Sequence, residues 1–232
     1  MDYAGKQINA LMSEWAELHR QRGWSSFISD GLVNEKSYEA APSKICFFLK
    51  EAYSKDGNEE WSLTDWLSGG AMTRMWSSVA EWTYGIIHTS SLDIPPKPNL
   101  TVSEKSSLLQ SIAVVNVKKS NGTAKSDYVD LLKYVQLDKE YLRREIEILN
   151  PDIIVCGNNS SLLRVLYGAS IQPNGKVGSD GLIDYHFMRQ HGYALLGNKI
   201  ILDYYHPANQ YPAIMNYYTI CSLYQQALKK KG

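Results

Sequence analysis

Polar groups interrupt or follow four apolar runs of the sequence. Lys50-Glu51 comes directly after Ile45-Cys46-Phe47-Phe48-Leu49, and Asn116 sits within Ile112-Ala113-Val114-Val115-Asn116-Val117. Gly157-Asn158 follows Ile153-Ile154-Val155-Cys156, and His206 follows Lys199-Ile200-Ile201-Leu202-Asp203-Tyr204-Tyr205. Together they offer a carboxylate, a primary amide, a tight turn and an imidazole. Carboxylate and imidazole are the usual carriers of charge and protons near neutral pH, and an amide presents a donor and an acceptor side by side. Taken singly, each has a plainer reading. Glu51 suits a solvated loop or a helix cap, Asn158 a helix N-cap, His206 before Pro207 a turn, and Asn116 a buried amide bonded to neighbouring backbone. Their shared position at the carboxyl ends of buried segments sets them apart as a group.

The elements that must hold these groups follow from periodicity. The four runs are continuous, rich in β-branched and aromatic residues, and bounded by Pro, Gly or charge, the pattern of strands buried on both faces. Between them lie helical patterns. Residues 6–22 place Ile8, Leu11, Trp15 and Leu18 on one face, with Gly23 as the stop. Helical spacing also runs to about residue 90, as one long amphipathic helix over about 127–148, over 160–167 and over 212–230. Ile94-Pro95-Pro96-Lys97-Pro98 is a loop, as are Lys50 to Glu60 with Asp56-Gly57-Asn58, and the Gly-rich stretch 168–181. Strands alternating with helices predict an α/β fold in three layers, α/β/α, around a mostly parallel four-stranded central sheet. No linker composition or internal repeat divides the chain. It reads as one domain over 1–232, with 1–43 a helical N-terminal extension packed on it. In such sheets, ligands occupy the crevice beyond the strand carboxyl ends, which is where the four polar stations converge.

Composition narrows the classes. Three cysteines, at 46, 156 and 221, are too few and too scattered for a disulfide framework or a zinc site, so no metal or cofactor is expected. No signal segment and no apolar run near membrane-spanning length are visible, which points to a cytoplasmic protein with no membrane partner. Lys and Arg number 24, as do Asp and Glu, for a formal net charge of zero. That balance argues against a protein that coats nucleic acid, although Lys118, Lys119 and Lys125 lie close enough to form a local basic face.

From Lys44 to the end, the chain resembles the uracil-DNA glycosylase superfamily in the order and spacing of its segments. Lys50-Glu51-Ala52-Tyr53 is similar to the family's water-activating motif, which in several branches reads Gly-Glu-Ala-Pro-Gly. The stretch Ala113 to Lys119 is similar to the strand that carries a base-reading Asn. Tyr141 to Gly157 resembles the family's long helix, Pro turn and strand ending in Gly, and His206-Pro207-Ala208 matches the closing His-Pro-Ser motif in its first two residues. The departures are specific. Lys50 and Tyr53 replace Gly and Pro, Ala52 stands where the best-known branch has a catalytic Asp, Ala208 lacks the Ser hydroxyl, and Asn209-Gln210-Tyr211 replaces the segment that carries an intercalating Leu. The four cysteines of the iron–sulfur branches are missing.

The resemblance implies a divergent, monomeric and monofunctional DNA N-glycosylase, which hydrolyses the bond between a flipped base and its sugar. Glu51 would stabilise the sugar cation and position water, and His206 would donate to the departing base. Asn116 would read the base edge, with Tyr53, Trp61, Trp66 and Asn158 lining or stacking on the base. Lys118, Lys119 and Lys125 would hold phosphates of single- or double-stranded DNA, and Gln210 or Tyr211 would fill the gap left in the stack. Three alternatives stay open: a glycosylase for a modified cytosine in phage DNA, a non-catalytic nucleic-acid-binding module on the same fold, and an enzyme acting on a free nucleoside or nucleotide.

Overall fold

Continuous apolar strands satisfy both their faces only inside a sheet covered on both sides, and the four runs occupy that position. A computed structural model describes residues 4–24, 26–53, 60–123, 125–188 and 191–232. Helix α1 (Ala4–Gln21) is followed by the short strands β1 (Ile28–Ser29) and β2 (Gly31–Leu32), then α2 (Glu35–Glu39) and β3 (Ile45–Glu51). β4 (Trp61–Ser62) leads directly into α3 (Leu63–Ser68), then α4 (Arg74–His88), α5 (Val102–Gln110) and β5 (Ile112–Lys118). Next come α6 (Tyr128–Leu137), α7 (Lys139–Leu149), β6 (Ile153–Gly157) and α8 (Ser160–Leu166). The chain finishes with β7 (Tyr185–Met188), β8 (His191–Leu196), β9 (Lys199–Tyr204) and α9 (Ala213–Lys231).

The sheet has seven strands in the order β2-β5-β3-β6-β9-β8-β7. Its centre, β5-β3-β6-β9, is parallel and is formed by the four apolar runs. Its flanks are antiparallel: β2 pairs with β5, β8 with β9, and β7 with β8. The expectation of a mostly parallel, four-stranded sheet is therefore corrected to a mixed sheet of seven. The flanking strands are short or interrupted by Gly31 and Gly192, so pairing with an existing edge defines them more than their own periodicity does.

Helices cover both faces. Residues of α1, α6, α7 and α8 pack with Cys46, Phe48, Val115, Ile154 and Ile201 on one side. Residues of α3, α4, α5 and α9 pack with Ile45, Phe47, Val114, Val155 and Leu202 on the other. The expected single helix over 127–148 is two, broken at Asp138. Asp138 is fully buried, and its carboxylate takes Arg22 and, at 3.1 Å, His19 Nε2, both from the N-terminal segment. The loop read at Asp56-Gly57-Asn58 lies outside the described residues.

The N-terminal segment is more than a packed helical extension, because β2 extends the sheet and Asp30 enters the core. Lys119, expected on a phosphate-holding face, is fully buried between Asp30 and Glu145 (2.8 Å), with its ammonium 4.9 Å above the Trp15 ring. Burial pushes the ammonium towards neutrality, but the two carboxylates outweigh it and leave its pKa above the ordinary lysine value. Burial and the Asp30 charge push Glu145 well above the usual carboxylate range, against the opposing pull of the Lys119 ammonium. Lys119 cannot reach DNA from there. Removing one partner of a buried ion pair costs about 3–5 kcal/mol. Lys119→Met is thus expected to lower the unfolding free energy by about that amount in denaturant titration; a loss under about 1 kcal/mol would show that the cluster contributes little.

Candidate functional site

Parity explains how three distant residues meet. Side chains of a strand alternate between faces. Ile45, Phe47 and Leu49 of β3, Ile112 and Val114 of β5, and Ile200, Leu202 and Tyr204 of β9 all face the α4–α9 side. Glu51, Asn116 and His206 continue those three series by steps of two. The registers Leu49↔Asn116 and Glu51↔Lys118 bring the ends of β3 and β5 level. The chain passes from β3 to β5 on one side and then crosses to β6 on the other, so the strand order reverses at β3. Crevices at such reversals are where open α/β sheets bind ligands.

A cleft of about 930 Å³ opens there, and Glu51, Asn116 and His206 all line it. Its walls include Tyr53, Trp61, Leu63, Trp66, Met75 and Trp76, with Thr73, Thr123, Lys125 and Ser126 among its polar lining residues. The side chain of Glu51 is 6% exposed, and its Oε2 lies 3.4 Å from Lys118 Nζ. Lys118 is tied in turn to Asp130 at 2.7 Å. Burial opposes the Lys118 charge, but Asp130 and Glu51 together raise its pKa. Glu51 Oε1 is buried and has no hydrogen-bond partner among the described residues. Gly122 completes this arrangement: its N–H donates to the carbonyl of Ala52 at 2.7 Å, and a β-carbon there would collide with the Glu51 side chain.

Asn116 is 3% exposed. β2 is too short to pair with this part of β5, and the Asn116 backbone N–H donates instead to Asp30 Oδ2 at 2.7 Å. Its side-chain amide has no hydrogen-bond partner among the described residues, so donor and acceptor are available to the cleft. At His206, the N–H of Ala208 donates to Nδ1 at 3.2 Å, which leaves the ring proton on Nε2. Burial, aided by the Lys50 charge, pulls the His206 pKa down to about 4, so the imidazole is neutral at physiological pH. Gly157 makes room for it, since a β-carbon there would stand 2.9 Å from Leu49 and 3.2 Å from the His206 ring.

The remaining expected residues divide between cleft, rim and elsewhere. Tyr53 is half exposed on the cleft, Trp61 and Trp66 line it with ring centroids 6.4 Å apart, and exposed Lys125 stands at its edge. Trp61 Nε1 is buried without a partner among the described residues. Gln210 and Tyr211 follow His206 on an exposed loop outside the cleft lining; Gln210 accepts from Arg74 at 2.7 Å, and the Tyr211 ring lies 4.9 Å from Tyr205. Asn158 is exposed, left-handed at φ 59°, and apart from the cleft. It is not the helix cap either, because Asn159 precedes α8. Lys118 serves Glu51 rather than a rim. Asp30, Asp130 and Gly122 were not legible as site residues, since each acts through a neighbour that only folding supplies; Gly157, read as part of a turn at the carboxyl edge, makes room for His206.

No family model matches the chain, and comparison with curated proteins and with solved structures finds no match to either.

His206 offers a direct check of the cleft electrostatics. The folded state resists a proton that the unfolded chain accepts near 6.5. Its contribution to stability is therefore intact above about 6.5 and is lost as the pH falls from there towards 4. Nitrogen-resolved NMR titration is expected to show an Nε2–H tautomer and a midpoint near 4; a midpoint near 6.5 would mean that the ring is solvated.

Proposed function

We propose that the chain is a DNA N-glycosylase, a divergent relative of the uracil-DNA glycosylases, acting on a flipped pyrimidine. The observation that carries this reading is the meeting of Glu51, Asn116 and His206 in one aromatic-walled cleft. Breaking an N-glycosidic bond builds positive charge on the sugar and negative charge on the base. The unpartnered Oε1 of Glu51 faces the first charge and orients water, while Lys118 holds the other oxygen. The Nε2–H of His206 donates to the base oxygen as charge gathers on it; with Nδ1 accepting the Ala208 N–H, the neutral ring keeps its one proton on the nitrogen that faces the base. Asn116 reads the base edge with its free amide.

Extruding the base from a duplex costs a few kcal/mol, and stacking on an aromatic ring returns about 1–3 kcal/mol per base. Trp61, Trp66 and Tyr53 supply such rings, and Lys125 supplies charge for a phosphate. The cleft volume lies near the upper end of the range for small-molecule sites, about 300–1,000 Å³. That room favours a pyrimidine with a bulky substituent, such as a modified cytosine of phage DNA, over bare uracil.

The test is base release, read by mass spectrometry, from DNAs carrying uracil or substituted pyrimidines. Glu51→Gln is expected to slow release by about 10²–10⁴-fold while DNA binding, read by anisotropy, changes little. Equal rates for variant and parent would remove Glu51 from the reaction. Tight binding without release from any DNA would favour a non-catalytic module. Asn116→Asp replaces the amide donor with an acceptor and is expected to change the ranking among bases; an unaltered ranking takes Asn116 out of the reading role.

A further inference from the structure

One cation of the cleft has no part in that chemistry. Lys50 immediately precedes Glu51, lines the same cleft and is half-buried. The other nearby lysines are accounted for: Lys118 is paired with Glu51 and Asp130, Lys119 is sealed in the core, and Lys125 is exposed at the edge. No hydrogen bond or ion pair holds the Lys50 ammonium among the described residues. It lines the cleft together with Glu51 and His206. A lysine on the rim would serve a phosphate; one that lines the cleft next to Glu51 is a candidate nucleophile.

We propose that Lys50 makes the site a lyase for abasic DNA, with its amine attacking C1′ of the deoxyribose that base removal leaves behind. This inference rests on the glycosylase reading for its substrate. The Nζ lone pair adds to the C1′ aldehyde of the ring-opened sugar, and the aldehyde oxygen leaves as water, forming an imine. Glu51 Oε1 takes a proton from C2′. That electron pair becomes the C2′=C3′ double bond, the C3′–O bond breaks, and the phosphate departs as the 5′-phosphate of the next nucleotide. Water then hydrolyses the imine, freeing Lys50 and an unsaturated aldehyde. The sequence requires no oxidant, reductant or metal. Burial lowers the Lys50 pKa against the opposing pull of Glu51, which enlarges the fraction of free amine that attacks.

The experiment uses the full chain and DNA with a preformed abasic site, so that it does not depend on base release. Borohydride reduces an imine to a stable secondary amine. A covalent protein–DNA adduct is expected, with mass spectrometry placing it on Lys50, together with strand cleavage when borohydride is omitted. Lys50→Arg keeps the positive charge but does not condense with an aldehyde, and it is expected to lose both adduct and cleavage, as is Lys50→Gln. Should either variant fail to fold, the mapped adduct of the parent still decides. No adduct from the parent, or an adduct on another amine, overturns the proposal. Base release without trapping sinks the lyase alone, whereas trapping without base release from any DNA sinks the glycosylase reading and leaves the lyase standing.

Discussion

The buried ammonium of Lys119 organises the molecule around the site. An unpaired charge in the core is among the most costly groups a fold can hold, so Asp30, Lys119 and Glu145 must be brought together whenever the chain is folded. Those residues come from the N-terminal segment, the end of β5 and α7. Their meeting ties three distant parts of the chain to the carboxyl edge of the sheet. Asp30 also accepts the backbone N–H of Asn116, so the cluster that closes the core holds the strand end bearing the free amide. The same segment sends His19 and Arg22 to Asp138, where the α6–α7 pair bends.

On the cleft side, polar groups are held from behind and left open in front. Among the described residues, Glu51 has one oxygen against Lys118 and the other without a partner; His206 accepts a backbone N–H at Nδ1 and keeps its proton on Nε2; Asn116 is fixed through its backbone while its amide has no partner. Preorganisation of this kind lowers the reorganisation needed when charge develops in a reaction. Cations and carboxylates are adjacent yet not interchangeable. Lys118 is paired with two acids, whereas Lys50 has no ion pair among the described residues and a partly dry setting.

Legibility differed with the range of the signal. The four central strands were visible because each is a continuous apolar run, and that pattern needs no knowledge of neighbours. The carboxyl-end positions of Glu51, Asn116 and His206 followed at once, since the polar residue stands inside or beside the run. The edge strands were not visible: β2 has two residues, and β7 and β8 exist by pairing with what precedes them in space. The break at Asp138 was hidden because helical periodicity continues across it, and only the buried partners His19 and Arg22 explain why the chain bends there.

The sequence by itself determined an α/β chain with a parallel centre and a set of polar residues at its carboxyl edge, because alternation and apolar run length are local properties of the chain. Tertiary structure alone decided which lysine is buried, which guards Glu51 and which enters the cleft. Lys118, Lys119 and Lys125 look alike in sequence; alternating faces and partners supplied by Asp30, Glu145, Asp130 and Glu51 give them different surroundings. The need for Gly122 and Gly157 likewise appears only once Glu51 and His206 lie against them. A side chain's electrostatics depends on what is packed around it, and that is set by contacts between residues far apart along the chain.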